Sequence, residues 1–244
     1  MPTRRPPRSN QGVNEVPKLI LLALFLVLAV PAAASTAASE GVSGWTVSWA
    51  GKASVVDGEL LLEPTGIADT DDTSEPSHTY SALALSNATH GVDVEIEATM
   101  RTVKQTRVDD PPNPWECAWL MWALTDLSHY YYFVLKPNGW QLSKKQGGPL
   151  GGWAPELFLA TGTSPQYPIG PAHRLRVVQT GSDIRVWANG EKILDYRDAS
   201  PLLSGGRVGL YGEDAVVGFR EVTIGAGATV ESASKPRKGK KPTR

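Results

Sequence analysis

Between Trp45 and Ile224 the chain breaks into roughly a dozen short runs of β-forming residues, each closed by Gly, Pro, Asn or Asp. That punctuation constrains the fold more than any other feature. No stretch longer than a turn or two carries apolar residues at helical spacing between start and stop signals. Asp57-Gly58 and Asn189-Gly190 are hairpin dipeptides that accept the positive φ of tight turns. Val92 to Arg101 alternates strictly, with Val92, Val94, Ile96, Ala98 and Met100 on one face and Asp93, Glu95, Glu97, Thr99 and Arg101 on the other. A sheet with one apolar face needs a second layer to cover it. The expected architecture is all-β, a jelly-roll β-sandwich of two antiparallel sheets over residues 45–225, with no break wide enough for two domains.

The ends read differently. Met1 to Lys18 is basic and Pro-rich, Leu19 to Val30 is an unbroken apolar run, and Pro31-Ala32-Ala33-Ala34-Ser35 supplies small residues for cleavage. The pattern predicts a secretory signal over 1–34 and a linker over 35–44, hence a secreted or cell-envelope protein without stable membrane insertion after cleavage. The alternative is an uncleaved anchor, since Leu19 to Ala38 approaches the roughly 20 residues that span a bilayer; Pro31 argues against it. The tail, 226–244, holds Lys235, Arg237, Lys238, Lys240, Lys241 and Arg244 in an Ala/Ser/Lys/Pro context, which predicts a solvated, disordered end suited to touch anionic envelope polymers. The body, 35–225, carries 14 basic against 23 acidic residues, a formal charge of −9 that speaks against nucleic acid as a ligand. The single cysteine, Cys117, excludes an intrachain disulfide and reads as a small buried hydrophobe.

Pro114 to Lys145 is the densest aromatic segment, with four Trp, three Tyr and one Phe. Runs over Cys117–Leu124, Tyr130–Lys136 and from Trp140 predict a three-stranded meander. With Leu124 paired to Tyr130 and Lys136 to Trp140, one face carries Cys117, Trp119, Met121, Tyr131, Phe133 and Leu135. The other carries Glu116, Trp122, Tyr130, Tyr132, Lys136, Trp140 and Lys144. Rings with polar ends and ammonium groups on one face suit a groove that stacks on sugar rings and bonds their hydroxyls. Trp122, Tyr130, Tyr132, Lys136, Trp140 and Lys144, with Arg101 as a polar neighbour, are therefore the expected binding residues for a polysaccharide or oligosaccharide. The alternative is that both faces are packed core. Family 16 glycoside hydrolases place acidic residues at alternate positions of a strand, and Asp93-Val94-Glu95-Ile96-Glu97 superficially resembles that pattern. Glu95 and Glu97 are the candidate catalytic pair on this resemblance.

The last third carries a broader resemblance. His173-Arg174-Leu175-Arg176-Val177, Ile184 to Gly190, Ile193 to Tyr196, Gly206-Arg207-Val208-Gly209-Leu210-Tyr211 and Val217 to Val222 resemble the C-terminal half of concanavalin A-like lectin/glucanase jelly rolls. More narrowly they are similar to bacterial 3-keto-disaccharide hydrolase domains. The resemblance implies a glycan-related protein and a structural Ca²⁺, for which Glu213 and Asp214 are the candidate ligands; no catalytic motif carries over residue by residue. Three functions follow: a carbohydrate-binding domain, a glycoside-processing hydrolase, or a non-catalytic envelope scaffold.

Other chemistry is sparse. The four His lack paired metal spacing. Asp126 and His129 form a candidate acid/base pair at the meander tip, and Asp69, Asp71, Asp72 and Glu75 could gather a Ca²⁺ without completing a calcium-loop motif. No phosphate loop, dinucleotide fingerprint or nucleophile elbow is present.

Overall fold

A computed structural model describes residues 43–48, 51–65, 81–107, 111–147 and 155–226. The chain divides into two units, Met1–Thr36 and Ala37–Arg244, and every described residue lies in the second. The expected signal, the acidic loop with Asp69, Asp71, Asp72 and Glu75, and tail residues 227–244 fall outside the described residues. Among the described residues no helix is long and apolar enough to cross a membrane.

The strands are β1 (Trp45–Ser48), β2 (Gly51–Val56), β3 (Glu59–Pro64), β4 (Ala82–His90), β5 (Val94–Gln105), β6 (Ala118–Asp126), β7 (His129–Lys136), β8 (Gly139–Lys145), β9 (Glu156–Gly162), β10 (His173–Thr180), β11 (Asp183–Ala188), β12 (Glu191–Arg197), β13 (Gly206–Gly212) and β14 (Ala215–Ala226). They form two seven-stranded antiparallel sheets, sheet A in the order β1-β4-β13-β6-β7-β8-β9 and sheet B in the order β12-β11-β10-β5-β14-β3-β2. This is the expected jelly-roll sandwich. Asp57 (φ 51°) with Gly58 and Asn189 (φ 51°) with Gly190 close their hairpins in the left-handed conformation those dipeptides favour.

The alternation in β5 is borne out: Val94, Ile96, Ala98 and Met100 are buried between the sheets, and Glu95, Glu97 and Arg101 lie on the outer face of sheet B. Ile96, Leu120, Phe133, Leu142, Leu175 and Phe219 fill the same layer. This core also holds polar groups, several of them joined by short hydrogen bonds. Lys144 Nζ bonds Asp198 Oδ2 at 2.7 Å, the Tyr131 hydroxyl donates to the same oxygen at 2.7 Å, and Trp122 Nε1 donates to Gln179 Oε1 at 2.7 Å. Burial alone would raise the Asp198 pKa, but hydrogen bonds from Lys144, Tyr131 and the Ser200 N–H hold it below the ordinary carboxylate value.

The meander forms in a register one residue from that expected. Trp122 pairs with Tyr131 and Leu135 with Trp140. The polar tip shrinks to Leu127-Ser128 because Asp126 pairs with His129, and the ladder absorbs the extra residues of β6 where Ala123 takes φ 50°. At the next hairpin Lys136 pairs with Gly139, so only Pro137-Asn138 form the turn. A one-residue slip exchanges the faces of β6 and β8 relative to β7.

Candidate active site on the outer face of sheet A

The slip splits the expected binding residues. Trp122, Trp140 and Lys144 lie in the inter-sheet core with Tyr131 and Phe133, where Phe133 stacks on Trp140 at 5.9 Å. Tyr130, Tyr132 and Lys136 occupy the opposite, outer face of sheet A. Their companions there are Trp119, Met121, Val134 and Tyr211, with Gln141, Ser143 and Lys145 from β8. Arg101, Glu95 and Glu97 are on the other sheet and face away from these residues. Arg101 makes a two-pronged pair with Glu59 at 2.8 and 2.5 Å, Glu95 pairs with Arg176 at 2.6 Å, and Glu97 with Arg174 at 2.7 Å. The aromatic face and the alternating carboxylates expected to share a groove are thus carried by different sheets.

On the sheet A face a hydrogen-bonded chain runs across three strands. Lys136 Nζ donates to Gln141 Oε1 at 3.0 Å, and Gln141 Nε2 reaches the Tyr132 hydroxyl at 3.1 Å, Ser143 Oγ at 3.0 Å and Glu156 Oε1 at 3.2 Å. The Tyr132 hydroxyl also donates to Glu156 Oε1. Tyr132 is held flat against Trp119, with ring centroids 4.3 Å apart, and Trp119 fixes itself by donating Nε1 to the Trp115 carbonyl at 2.7 Å. Lys145 Nζ sits 5.9 Å from the centre of the Tyr130 ring.

Two further carboxylates border this chain. Glu213 follows β13, and its Oε2 accepts the Tyr211 hydroxyl at 3.1 Å, with Ser81 Oγ 2.8 Å from the same hydroxyl. Burial pushes the Glu213 carboxyl up to about 7; the Tyr211 hydrogen bond opposes this, while Asp214, Glu116 and Glu156 add negative charge that raises it. Burial also raises the Glu156 carboxyl and lowers the Lys136 and Lys145 ammonium groups. Glu116 is fully buried; its Oε1 receives Arg107 and, at 2.9 Å, Asn113, while its Oε2 has no hydrogen-bond partner among the described residues. Cys117 is buried beside it with its thiol pushed up by burial, the inert small hydrophobe expected.

Glu213 turns to Tyr211, whereas Asp214, at φ 42°, approaches Arg107 at 3.9 Å. Among the described residues no group of three or more His, Cys, Asp or Glu is placed to hold a metal ion. Asp126 and His129 do meet, at 3.0 Å, but His129 Nε2 accepts the Gly147 N–H at 3.3 Å, which occupies the lone pair a base would use. Sequence reasoning missed Gln141, Glu156, Lys145 and Tyr211; the period-two pattern carries all but Glu156 and Tyr211 once the register is right, and those two arrive from strands distant in sequence.

The two seven-stranded antiparallel sheets define a jelly-roll β-sandwich. The chain belongs to the family of 3-keto-alpha-glucoside-1,2-lyase-like domains, whose model matches residues 37–225. No curated protein sequence matches it. Among solved structures it is similar to the carbohydrate binding module CBM66 from Bacillus subtilis, at 17% identity and TM-score 0.54 over 74% of this chain and 94% of that one. The metal-free carbohydrate recognition domain of Emp46p matches at 11% identity and TM-score 0.53, over 78% of this chain and 92% of that one. The VIP36 exoplasmic/lumenal domain bound to Ca²⁺/Man3GlcNAc matches at 11% identity and TM-score 0.52, over 78% and 86%. At such identities these likenesses establish the fold.

Proposed function

We propose that this chain binds a 3-keto-glycoside on the outer face of sheet A and cleaves it by general acid–base elimination. The observation that carries the reading is the chain Lys136–Gln141–Tyr132–Glu156 beside the Tyr211–Glu213 pair. These are ionisable groups gathered, at a cost in desolvation, where a sandwich needs none. Membership of a 1,2-lyase-like family supplies the chemistry. A carbonyl at C3 acidifies the proton on C2. Removing that proton and expelling the C1 oxygen breaks the C2–H and C1–O bonds and forms a C1–C2 double bond, with no net oxidation.

Each role has a fitting group. Glu156, whose carboxyl is made more basic by burial, takes the C2 proton. Glu213, partly protonated near pH 7, delivers a proton to the departing oxygen. Lys136 donates to the developing enolate oxygen at C3. The stacked and buried Trp119 and Tyr132 form the floor of the site, and Trp115, exposed at 43%, offers a ring at its rim for sugar stacking. The basic, apolar and small-residue pattern of residues 1–34 supports export, and the basic tail supports contact with anionic envelope polymers.

The test is product release from a panel of 3-keto-glucosides and their unoxidised counterparts, using the full chain. Turnover of the keto sugars is expected to fall by about 10²-fold or more in both Glu156→Gln and Glu213→Gln. Saccharide binding without turnover of any glycoside would instead establish a carbohydrate-binding domain. Activity that survives both substitutions would remove the assignment.

A further inference from the structure

The outer face of sheet B carries a cleft, which the elimination chemistry does not use. Pairing places Arg176 of β10 between Glu97 of β5 and Trp187 of β11. The Arg176 guanidinium lies over the Trp187 ring, 4.4 Å from its centre, and its Nε is bonded to Glu95 Oε1 at 2.6 Å. One turn of the pleat away, Arg174 Nε meets Glu97 Oε1 at 2.7 Å. Asn189 closes the end of the row by accepting the Arg174 N–H on Oδ1 at 2.9 Å. Glu97, Arg174, Arg176, Trp187, Asn189 and Gly190 line an open cleft of ≈ 530 Å³, within the range that accepts small ligands.

Both guanidinium groups are anchored in the same way. Each is tied through Nε to a carboxylate on the neighbouring strand, which fixes the plane of the fork and leaves the paired Nη donors for another acceptor. Arg176 is held further by the Trp187 face, so its freedom is already spent before a ligand arrives. Two forks side by side match the oxygens of a planar or tetrahedral oxyanion. Trp187 and Asn189 add an apolar edge and an amide, which suit a ring bearing hydroxyls. Glu95 and Glu97, which alternate along β5 in the manner of a catalytic pair, act as positioning groups for the two arginines.

We infer that this cleft is a binding site for the acidic group of a saccharide, the carboxylate of a uronic acid or a sugar sulfate, on the side of the sandwich opposite the proposed active site. Its partner carboxylates cancel the net charge of the arginines. Recognition therefore rests on the geometry of the forks rather than on long-range attraction, and the acidic body disfavours unspecific polyanion binding.

Titration calorimetry of the full chain with a galacturonate oligomer, a sulfated oligosaccharide and a neutral glucan of equal length tests this. The wild type is expected to bind at least one acidic oligomer and not the neutral one; which acidic oligomer binds identifies the oxyanion. Arg174→Lys with Arg176→Lys keeps charge and ion pairs but removes the forks, and is expected to weaken binding about 10-fold or more while leaving Tm within a few degrees. Glu213→Gln is expected to leave this binding unchanged. Absence of binding to both acidic oligomers, equal binding of the neutral glucan, or wild-type affinity in the double Lys variant would overturn the inference, whatever the fate of the sheet A site.

Discussion

Replacing Glu213 by Gln tests the central group of the site through stability as well as activity. A rise of its carboxyl from 4.5 to about 7 on folding corresponds to about 3 kcal/mol between the protonated and ionised forms, less what solvent screening removes at a partly exposed carboxyl. The sign follows from linkage. Because the folded pKa is raised, the folded state binds this proton more tightly than the unfolded chain does. The contribution is fully present below about pH 4.5 and is lost as pH rises toward 7. Gln cannot titrate, so the wild type minus Glu213→Gln stability difference should fall by on the order of 3 kcal/mol between pH 4 and pH 8. At pH 8 the variant should be the more stable protein. Urea or guanidinium unfolding at five pH values between these limits measures the difference directly. Tyr211→Phe removes the hydrogen bond that opposes the shift, so it should move the midpoint of the same profile to higher pH. Since Glu213 acts in its protonated form, turnover should decline as pH rises through about 7. Parallel stability profiles for wild type and Glu213→Gln would refute the argument, because a carboxyl with an ordinary pKa leaves no such difference.

Two structural predictions accompany this one. Lys144→Met leaves Asp198 buried without its cation and should cost about 3–5 kcal/mol in urea unfolding, of which Lys144→Met with Asp198→Asn should recover a large part. Gly139 holds φ 134°, and a Cβ there would overlap the Gly162 carbonyl oxygen, so Gly139→Ala should lower stability by more than about 1 kcal/mol and reduce Tm by several degrees.

The fold was readable because alternation and turn chemistry act locally. Asp57-Gly58 and Asn189-Gly190 specify hairpins through φ alone, and Val94 to Met100 specify a buried face through period two. The site was readable only in part, because its membership depends on register, which no local rule supplies in the meander. Tyr130, Tyr132 and Lys136 do share the face of sheet A turned away from sheet B, but they are buried there rather than open to water. Trp122, Trp140 and Lys144 do not share that face, because Ala123 bulges and Gly139 belongs to a strand rather than to its turn. With Trp122, Trp140 and Lys144 outward, the inner face would have been left with Cys117, Trp119 and Met121, and with no use for the Lys144 ammonium that Asp198 holds from 54 residues away. A long-range polar partner of that kind is invisible to periodicity, as is Glu156, which joins Tyr132 only through sheet order. Alternation shows that carboxylates share a face, but it is silent on what stands on the next strand, and there Arg174 and Arg176 turn a row of acids into a row of ion pairs.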